Sequence, residues 1–531
     1  MLVESLLYIT LFFALGIIFL IFRAIIYPKI RLLQLKKKYG DKIQIVHHYG
    51  TGLPMEYRKG FVERNDSMAF VRKMAAEKTN KMQVFGFNIG YNVGLSFLDP
   101  ELIKQVHQSH DAFQKINISQ AFNYLFSDSL FYATGKNWQR QRQFLGKSFH
   151  FDEIRNYLPS IKELCSKVTD QLNKDLKANP QQEIQVINVC EKITSEVVFR
   201  VFFGSTQENM MITREDGSQL HLSEELVSLI MDSFRILQQN KLLLLKNLIL
   251  KSYSFKIFPL KEEKWLLNRL VQVKAACEKV VLKRKEELQQ NLDQYKNNFL
   301  DLYLKEMIEN KNSGITYDEI IANFCGLFFA GTDTTGNMTG VALYYLSLNP
   351  QIQKEARDEV IRVISKKNQD IKGNDLFSSL QFEDLSNMNL CNSILKESLR
   401  LIPPAFGVFP RYVTRDIKIG QYELKKGDLV NTHFIYNQSN PQTFTNPDKF
   451  DPYRWMNGNE SQNAFNFTPF SLGPRNCIGQ HLAMIEGKCM LANFLLNYDI
   501  LPNESQKVQL EMKIIYGFSQ DNLVYFKKRQ Q

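Results

Sequence analysis

The sequence predicts a mostly α-helical protein with a smaller β region, preceded by an N-terminal transmembrane helix. Three observations lead there. Helical periodicity dominates from about Pro100 to Pro350. Short strand-like runs broken by turns and glycines are confined to Ile43–Phe97 and Val413–His433. Leu6 to Phe22 runs 17 residues without a charge, which at 1.5 Å per residue reaches about 26 Å, close to a hydrocarbon core.

That first run is interrupted only by Thr10 and Gly16. A cleaved signal peptide has a shorter apolar core preceded by positive charge. Here Glu4 precedes it, while Arg23, Lys29, Arg31 and Lys36-Lys37-Lys38 follow. Residues 1–27 therefore read as an uncleaved anchor, with the body, residues 28–531, on the cytoplasmic side. The body begins with strands such as Ile43–Val46 and Gln83–Gly86. Thr316-x-x-Glu319 has the form of a capping box opening a long helix through Ile320, Phe324, Leu327 and Phe328. Another helix, Asn389–Leu401, stops at Pro403-Pro404, and a last one follows Cys477, from about Gly479 to Leu496. Lys241–Leu250 is apolar between lysines, in the manner of a core helix or of a loop that dips into a bilayer.

Composition narrows the function classes. Lys+Arg 66 against Asp+Glu 55 gives +11, spread thinly. This suits an anionic membrane surface or an acidic protein partner. No basic stripe with interleaved aromatics stands out, so nucleic acid is not the expected partner. The seven cysteines are scattered and form no C-x-x-C pair, which argues against a disulfide framework or structural zinc and for a reducing environment. The 39 phenylalanines point to a large apolar core, and an apolar pocket within it would use the same residue type.

Four constellations carry chemistry. Phe470-Ser-Leu-Gly473-Pro-Arg475-Asn-Cys477-Ile-Gly479 sets one cysteine in a tight loop whose amides can donate to sulfur. Cys477 alone would read as a small buried hydrophobe. Ala330-Gly331-Thr332-Asp333-Thr334-Thr335 places hydroxyls and a carboxylate inside an apolar helix. Either a notch for water or dioxygen or a local kink would explain them. Trp138-Gln-Arg-Gln-Arg142 offers an indole N–H and a guanidinium, both suited to a carboxylate. Glu397-x-x-Arg400 puts opposite charges on one helix face, ahead of Phe450-Asp-Pro452-Tyr-Arg454-Trp455. His481 lies four residues beyond Cys477 and reads as a helix-face residue. His47-His48 reads as loop.

Taken in chain order, these segments resemble the W-x-x-x-R, A-G-x-D/E-T-T, E-x-x-R, F-x-P-x-R-W and F-x-x-G-x-R-x-C-x-G elements of the cytochrome P-450 superfamily, from about residue 30 to the end. The resemblance implies the cytochrome P-450 fold, with haem b held by the Cys477 thiolate as the metal ligand. Phe470 and Gly479 would flank the sulfur. It implies Trp138, Arg142, Arg411 and Arg475 at the haem propionates, Thr334 at the iron-bound oxygen and Asp333 in proton relay. Glu397, Arg400 and Arg454 would form a buried structural network. Arg140 and Lys147 suggest by charge a face for an acidic electron donor. The expected activity is monooxygenation of an apolar organic substrate (fatty acid, sterol or xenobiotic) with O2 and electrons from NADPH through a separate flavoprotein reductase. The expected place is the endoplasmic reticulum membrane. Such members often have a proline-rich hinge after the anchor, for which only Pro28 stands here. The substrate regions would be Phe113–Leu130, Asn323–Ala330, Ala405–Phe409 and Gly517-Phe518, with Phe328, Phe329 and Phe406 as apolar candidates. A peroxide-using or rearranging relative without a reductase, and a non-catalytic haem sensor, remain the alternatives.

Overall fold

The computed structural model describes residues 2–46, 52–77, 82–116, 120–204, 210–214, 216–240, 242–243, 246, 259–291, 293, 295–296, 298–366, 375–456, 464–513, 515–520 and 523–529. Helix α1 (Leu2–Ile21) continues through a π-helical turn at Phe22–Ile26 into α2 (Tyr27–Tyr39). Pro28, which has no N–H to donate, sits just after the π-helical turn, and the chain stays helical through it. Leu32 and Leu35 of α2 are buried, whereas Tyr8, Phe12 and Leu15 of α1 are exposed. The side chains of α1 are described only in part. Among the described residues no helix is long and apolar enough to cross a membrane.

Six strands make the main sheet: β1 (Ile43–Val46), β2 (Val84–Ile89), β3 (Asn92–Phe97), β4 (Phe113–Lys115), β5 (Gly407–Val413) and β6 (Leu429–His433). Their spatial order is β1-β2-β3-β6-β5-β4. The pairs β1–β2 and β3–β6 are parallel and the other three antiparallel. Lys115 faces Arg411 across β4 and β5. Between β1 and β2, where strands and turns were expected, the chain forms two helices, α3 (Leu53–Arg64) and α4 (Ala69–Ala76). Of α3 only Leu53 and Gly60 are buried, so no apolar stripe marks it in the sequence. His47-His48 lies outside the described residues, as does most of 241–250. In that second segment Leu243 is buried, Leu242 is exposed, and Lys246 pairs with Glu263.

The helical body contains α5 (Pro100–Gln108), α6 (Gly135–Gly146), α7 (Val186–Phe203), the 32-residue α8 (Tyr317–Leu348), α9 (Asn389–Leu401) and α10 (Gln480–Asn497). Helix α8 packs on α7, α9 and α10. At the α7 crossing, Cβ atoms on Gly336 and Gly340 would come within 2.5 Å of Glu191 and 2.6 Å of Ile187, so glycine is what lets the two backbones approach. The same interface holds a phenylalanine cluster. Phe203–Phe324 ring centroids lie 4.3 Å apart, and Phe199 lies 5.4 Å from both Phe324 and Phe328. Such pairs each contribute about 0.5–1.5 kcal/mol beyond burial. Phe328 therefore belongs to the core and not to a substrate pocket. The α8 cap is half of the expected box: Thr316 Oγ1 accepts the Glu319 N–H at 3.1 Å, but the Glu319 carboxylate turns to Arg140.

Behind the cysteine loop the expected ion network forms. Arg400 donates to Glu397 through Nε at 2.9 Å and Nη2 at 2.8 Å. Arg454 Nε, Trp455 Nε1 and the Asp451 amide complete the carboxylate at 3.1, 2.9 and 3.0 Å. Arg400 also donates to the carbonyls of Gln438, Pro447 and Lys449, tying α9 to the segment ahead of the loop.

Candidate active site

The cysteine loop is closed by its own backbone. Ser471 N–H donates to the Thr468 carbonyl at 2.9 Å, Asn476 N–H to Gly473 at 3.1 Å, and Cys477 N–H to Phe470 at 2.8 Å. The turn needs left-handed backbone at Ser471 and Gly473, with φ 61° and 75°. Gly479, at φ −89°, caps α10 and is not strained. A Cβ there would meet only Phe149, at 3.7 Å. Cys477 is exposed while the other six cysteines are buried, which sets aside its reading as a packed hydrophobe. Although the residue is exposed, the protein around it desolvates the sulfur. Burial pushes the thiol above its usual range, and the Gly479 N–H and the Arg142 guanidinium pull it back.

Helix α8 runs unbroken through Ala330–Thr335, so no lost turn opens a notch there. Ala330 is exposed, and Gly331, Asp333 and Thr334 are half-buried; small side chains make the opening. Thr334 Oγ1 donates to the Ala330 carbonyl at 2.5 Å, the back-bond expected of a helical threonine. Burial raises the Asp333 carboxyl to about 7. No described hydrogen bond or ion pair joins Asp333 or Thr334 to the cysteine loop. What brings the two segments into one region is the packing of α8 on α10 and α9.

The remaining site residues form a cluster of cations. Arg475 lies over the Trp138 ring at 4.0 Å and donates to the Ala133 carbonyl at 2.8 Å. Arg142 holds the loop itself, donating to Asn476 O at 2.9 Å and Oδ1 at 2.5 Å. Arg411 is 7 % exposed and its Nε is buried without a partner. Burial, joined for Arg475 by repulsion from Arg411 and Arg142, lowers Arg411 and Arg475 to about 10. Sequence reasoning missed two members of this cluster. Lys115, brought in by strand pairing, is held well below its usual range by burial, Arg411 and Arg475. His107 at the end of α5 is buried, with Nε2 unpartnered.

Buried cations with no carboxylate among their bonds are costly unless an anion joins them. An open thiol beside carboxylate-seeking cations is the donor set that haem requires, an axial sulfur and partners for two propionates. The residues fit the group. Arg140 does not present a free docking charge, since it pairs with Glu319. Lys147 is exposed, as is His481 on α10. Among the described residues no three His, Cys, Asp or Glu side chains gather as a metal cage. Of the substrate regions, residues 117–119 lie outside the described residues. Phe126 and Phe329 sit 6.4 Å apart, and Phe406 packs on His433 and Tyr57 at 5.4 and 5.7 Å. Gly517 lies against Asn337, and Phe518 lies 4.9 Å from Tyr344, so this turn braces α8.

Comparison with known proteins agrees with this reading. The sequence model of the family described as Cytochrome P450 matches residues 52–523. Cytochrome P450 CYP72A219 of Panax ginseng is 27% identical over 77% of this chain and 74% of its own length. Cytochrome P450 716A67 of Medicago truncatula is 26% identical over 82% and 80%. Cytochrome P450 4c21 of Blattella germanica is 25% identical over 87% and 88%.

Proposed function

This chain belongs to the cytochrome P450 family of haem-thiolate monooxygenases, and from that premise we propose that Cys477 is the thiolate ligand of its haem b and that the enzyme oxygenates an apolar small molecule. The observation that carries the assignment is the single exposed cysteine in a loop flanked by buried Arg411 and half-buried Arg142, Arg475 and Lys115, none of which has a carboxylate among its described hydrogen bonds. Bound haem supplies dioxygen binding and, through the donating thiolate, cleavage of the O–O bond.

The protein's own groups do the rest. The Gly479 N–H and Arg142 moderate the charge on sulfur, and the Phe470 carbonyl, accepting the Cys477 N–H, holds the loop closed around it. Trp138, Arg411, Arg475 and Lys115 orient the cofactor by its carboxylates. The Thr334 hydroxyl, now spent on Ala330, is one rotation away from bonding an oxygen in the cleft. Asp333, poised to gain or lose a proton near pH 7, refills it. The apolar substrate class is supported by the half-buried Phe329 beside the Ala330–Thr335 segment, and which of fatty acid, sterol or xenobiotic it is rests with a substrate screen. A separate NADPH-dependent flavoprotein reductase supplies the electrons, since the chain holds no flavin or nicotinamide motif. Residues 1–27 anchor the catalytic domain, 28–531, on the cytoplasmic side of the endoplasmic reticulum membrane. The uncharged run Leu6–Phe22 and the basic residues after it support this.

The test is the carbon monoxide difference spectrum of the reduced protein, for wild type and Cys477→Ala. Wild type should show the red-shifted Soret band of thiolate-ligated haem and the variant should lose it. Folded, haem-bearing wild type without that band would overturn the assignment. Turnover with NADPH and reductase is then expected. Oxidation driven by peroxide alone, or haem binding without any oxidation, would replace this reading with one of the two alternatives.

A further inference from the structure

Helix α5 ends against the cysteine loop, and the function proposed above makes no use of its His107. The imidazole is 5 % exposed and faces the Leu472 backbone. A Cβ placed on the neighbouring Gly473 would lie 3.6 Å from His107 Cβ, so helix and loop are in contact. Nε2 is buried and unpartnered, and Nδ1 is the ring nitrogen left to carry the proton toward Leu472. In that tautomer Nε2 is an acceptor. The charge felt by the ring is that of Arg411, whose own Nε–H is buried and unpartnered. A buried acceptor and a buried donor, both unspent on neighbouring elements, cost free energy until something satisfies them. Burial and Arg411 keep the ring neutral, with its pKa lowered to about 4, so it stays an acceptor at working pH.

We propose that His107 is a positioning residue, turned by Nδ1–H toward the Leu472 carbonyl and taking the Nε–H of Arg411 on Nε2 through one water. It thereby fixes the cysteine loop and the guanidinium that meets the cofactor's carboxylate as one unit. The role rests on the haem-thiolate reading of Cys477. Loss of either hydrogen bond frees one of two groups that grip the same cofactor, so haem retention is where the effect appears.

The experiment uses full-length, haem-loaded protein and follows haem transfer to excess apomyoglobin, with the reduction potential measured alongside. His107→Gln carries a donor and an acceptor at ring spacing, and should stay within about twofold of wild type in transfer rate. His107→Asn reaches Leu472 but not Arg411, and should lose haem about tenfold faster with its carbon monoxide band unmoved. His107→Leu, which lacks both bonds, should lose haem at least as fast and drift to a spectrum without the thiolate band. Transfer from the Asn variant at the wild-type rate would overturn the proposal, as would a Gln variant as leaky as Leu. Should the Leu variant fail to accumulate, the Gln and Asn pair still decides. Failure of the Cys477 assignment would show separately, as a missing thiolate band in wild type.

Discussion

Asp333 holds its proton to about pH 7 because its half-buried carboxyl has lost the water that would solvate the anion. In the proposed relay its protonated form is the donor, so its contribution to turnover should be present below that pH and fall as pH rises through it. Asp333→Asn should leave haem content unchanged, lower product formation about a hundredfold and abolish that limb of the pH–rate profile. A variant with the wild-type profile would remove Asp333 from the relay. Single residues were also where the sequence told least about partners. Arg140 offers a charge to the reader, but Glu319, 179 positions away, has already claimed it. Phe328 and Phe329 are indistinguishable as letters, yet the helix turn between them sends one to the core and the other to the half-buried face.

Among elements, α9 depends most on its neighbours. Its Glu397 collects five hydrogen bonds, from Arg400, Arg454, Trp455 and the Asp451 amide, in a space without water contact. Glu397→Ala would leave two arginines buried and unpaired, at about 3–5 kcal/mol. The expected product is protein lacking haem, with helical circular dichroism reduced. A fully haem-loaded variant would show that the network is dispensable. The limits of α9 were legible because Pro403-Pro404 stops it, and α10 because it follows a glycine loop. Helix α3 was not, since it buries only Leu53 and Gly60 and its residues carry no face for periodicity to reveal. Half of the α8 cap was legible as well. The other half failed because a tertiary ion pair outbid a local bond.

At the scale of the molecule, the anchor reading predicts how the protein partitions. Full-length protein should stay with vesicles through alkaline carbonate extraction, while a 28–531 variant should be released and still give the carbon monoxide band. Equal resistance of the two would place the attachment elsewhere. The order of motifs made the architecture legible, since each marks a helix or loop in sequence. Long-range pairing did not announce itself: Lys115 meets Arg411 only through the register of β4 on β5. That pairing also governs timing. The two strands are translated roughly three hundred residues apart, and contacts so distant form late. With Cys477 as the proposed ligand, a ribosome must release β5, β6 and then that cysteine before a nascent chain could seize its prosthetic group. Until then the early half waits with its apolar surfaces uncovered, a state that chaperones guard. Cofactor supply should therefore limit how much of the finished polypeptide survives, and not merely how much of it works.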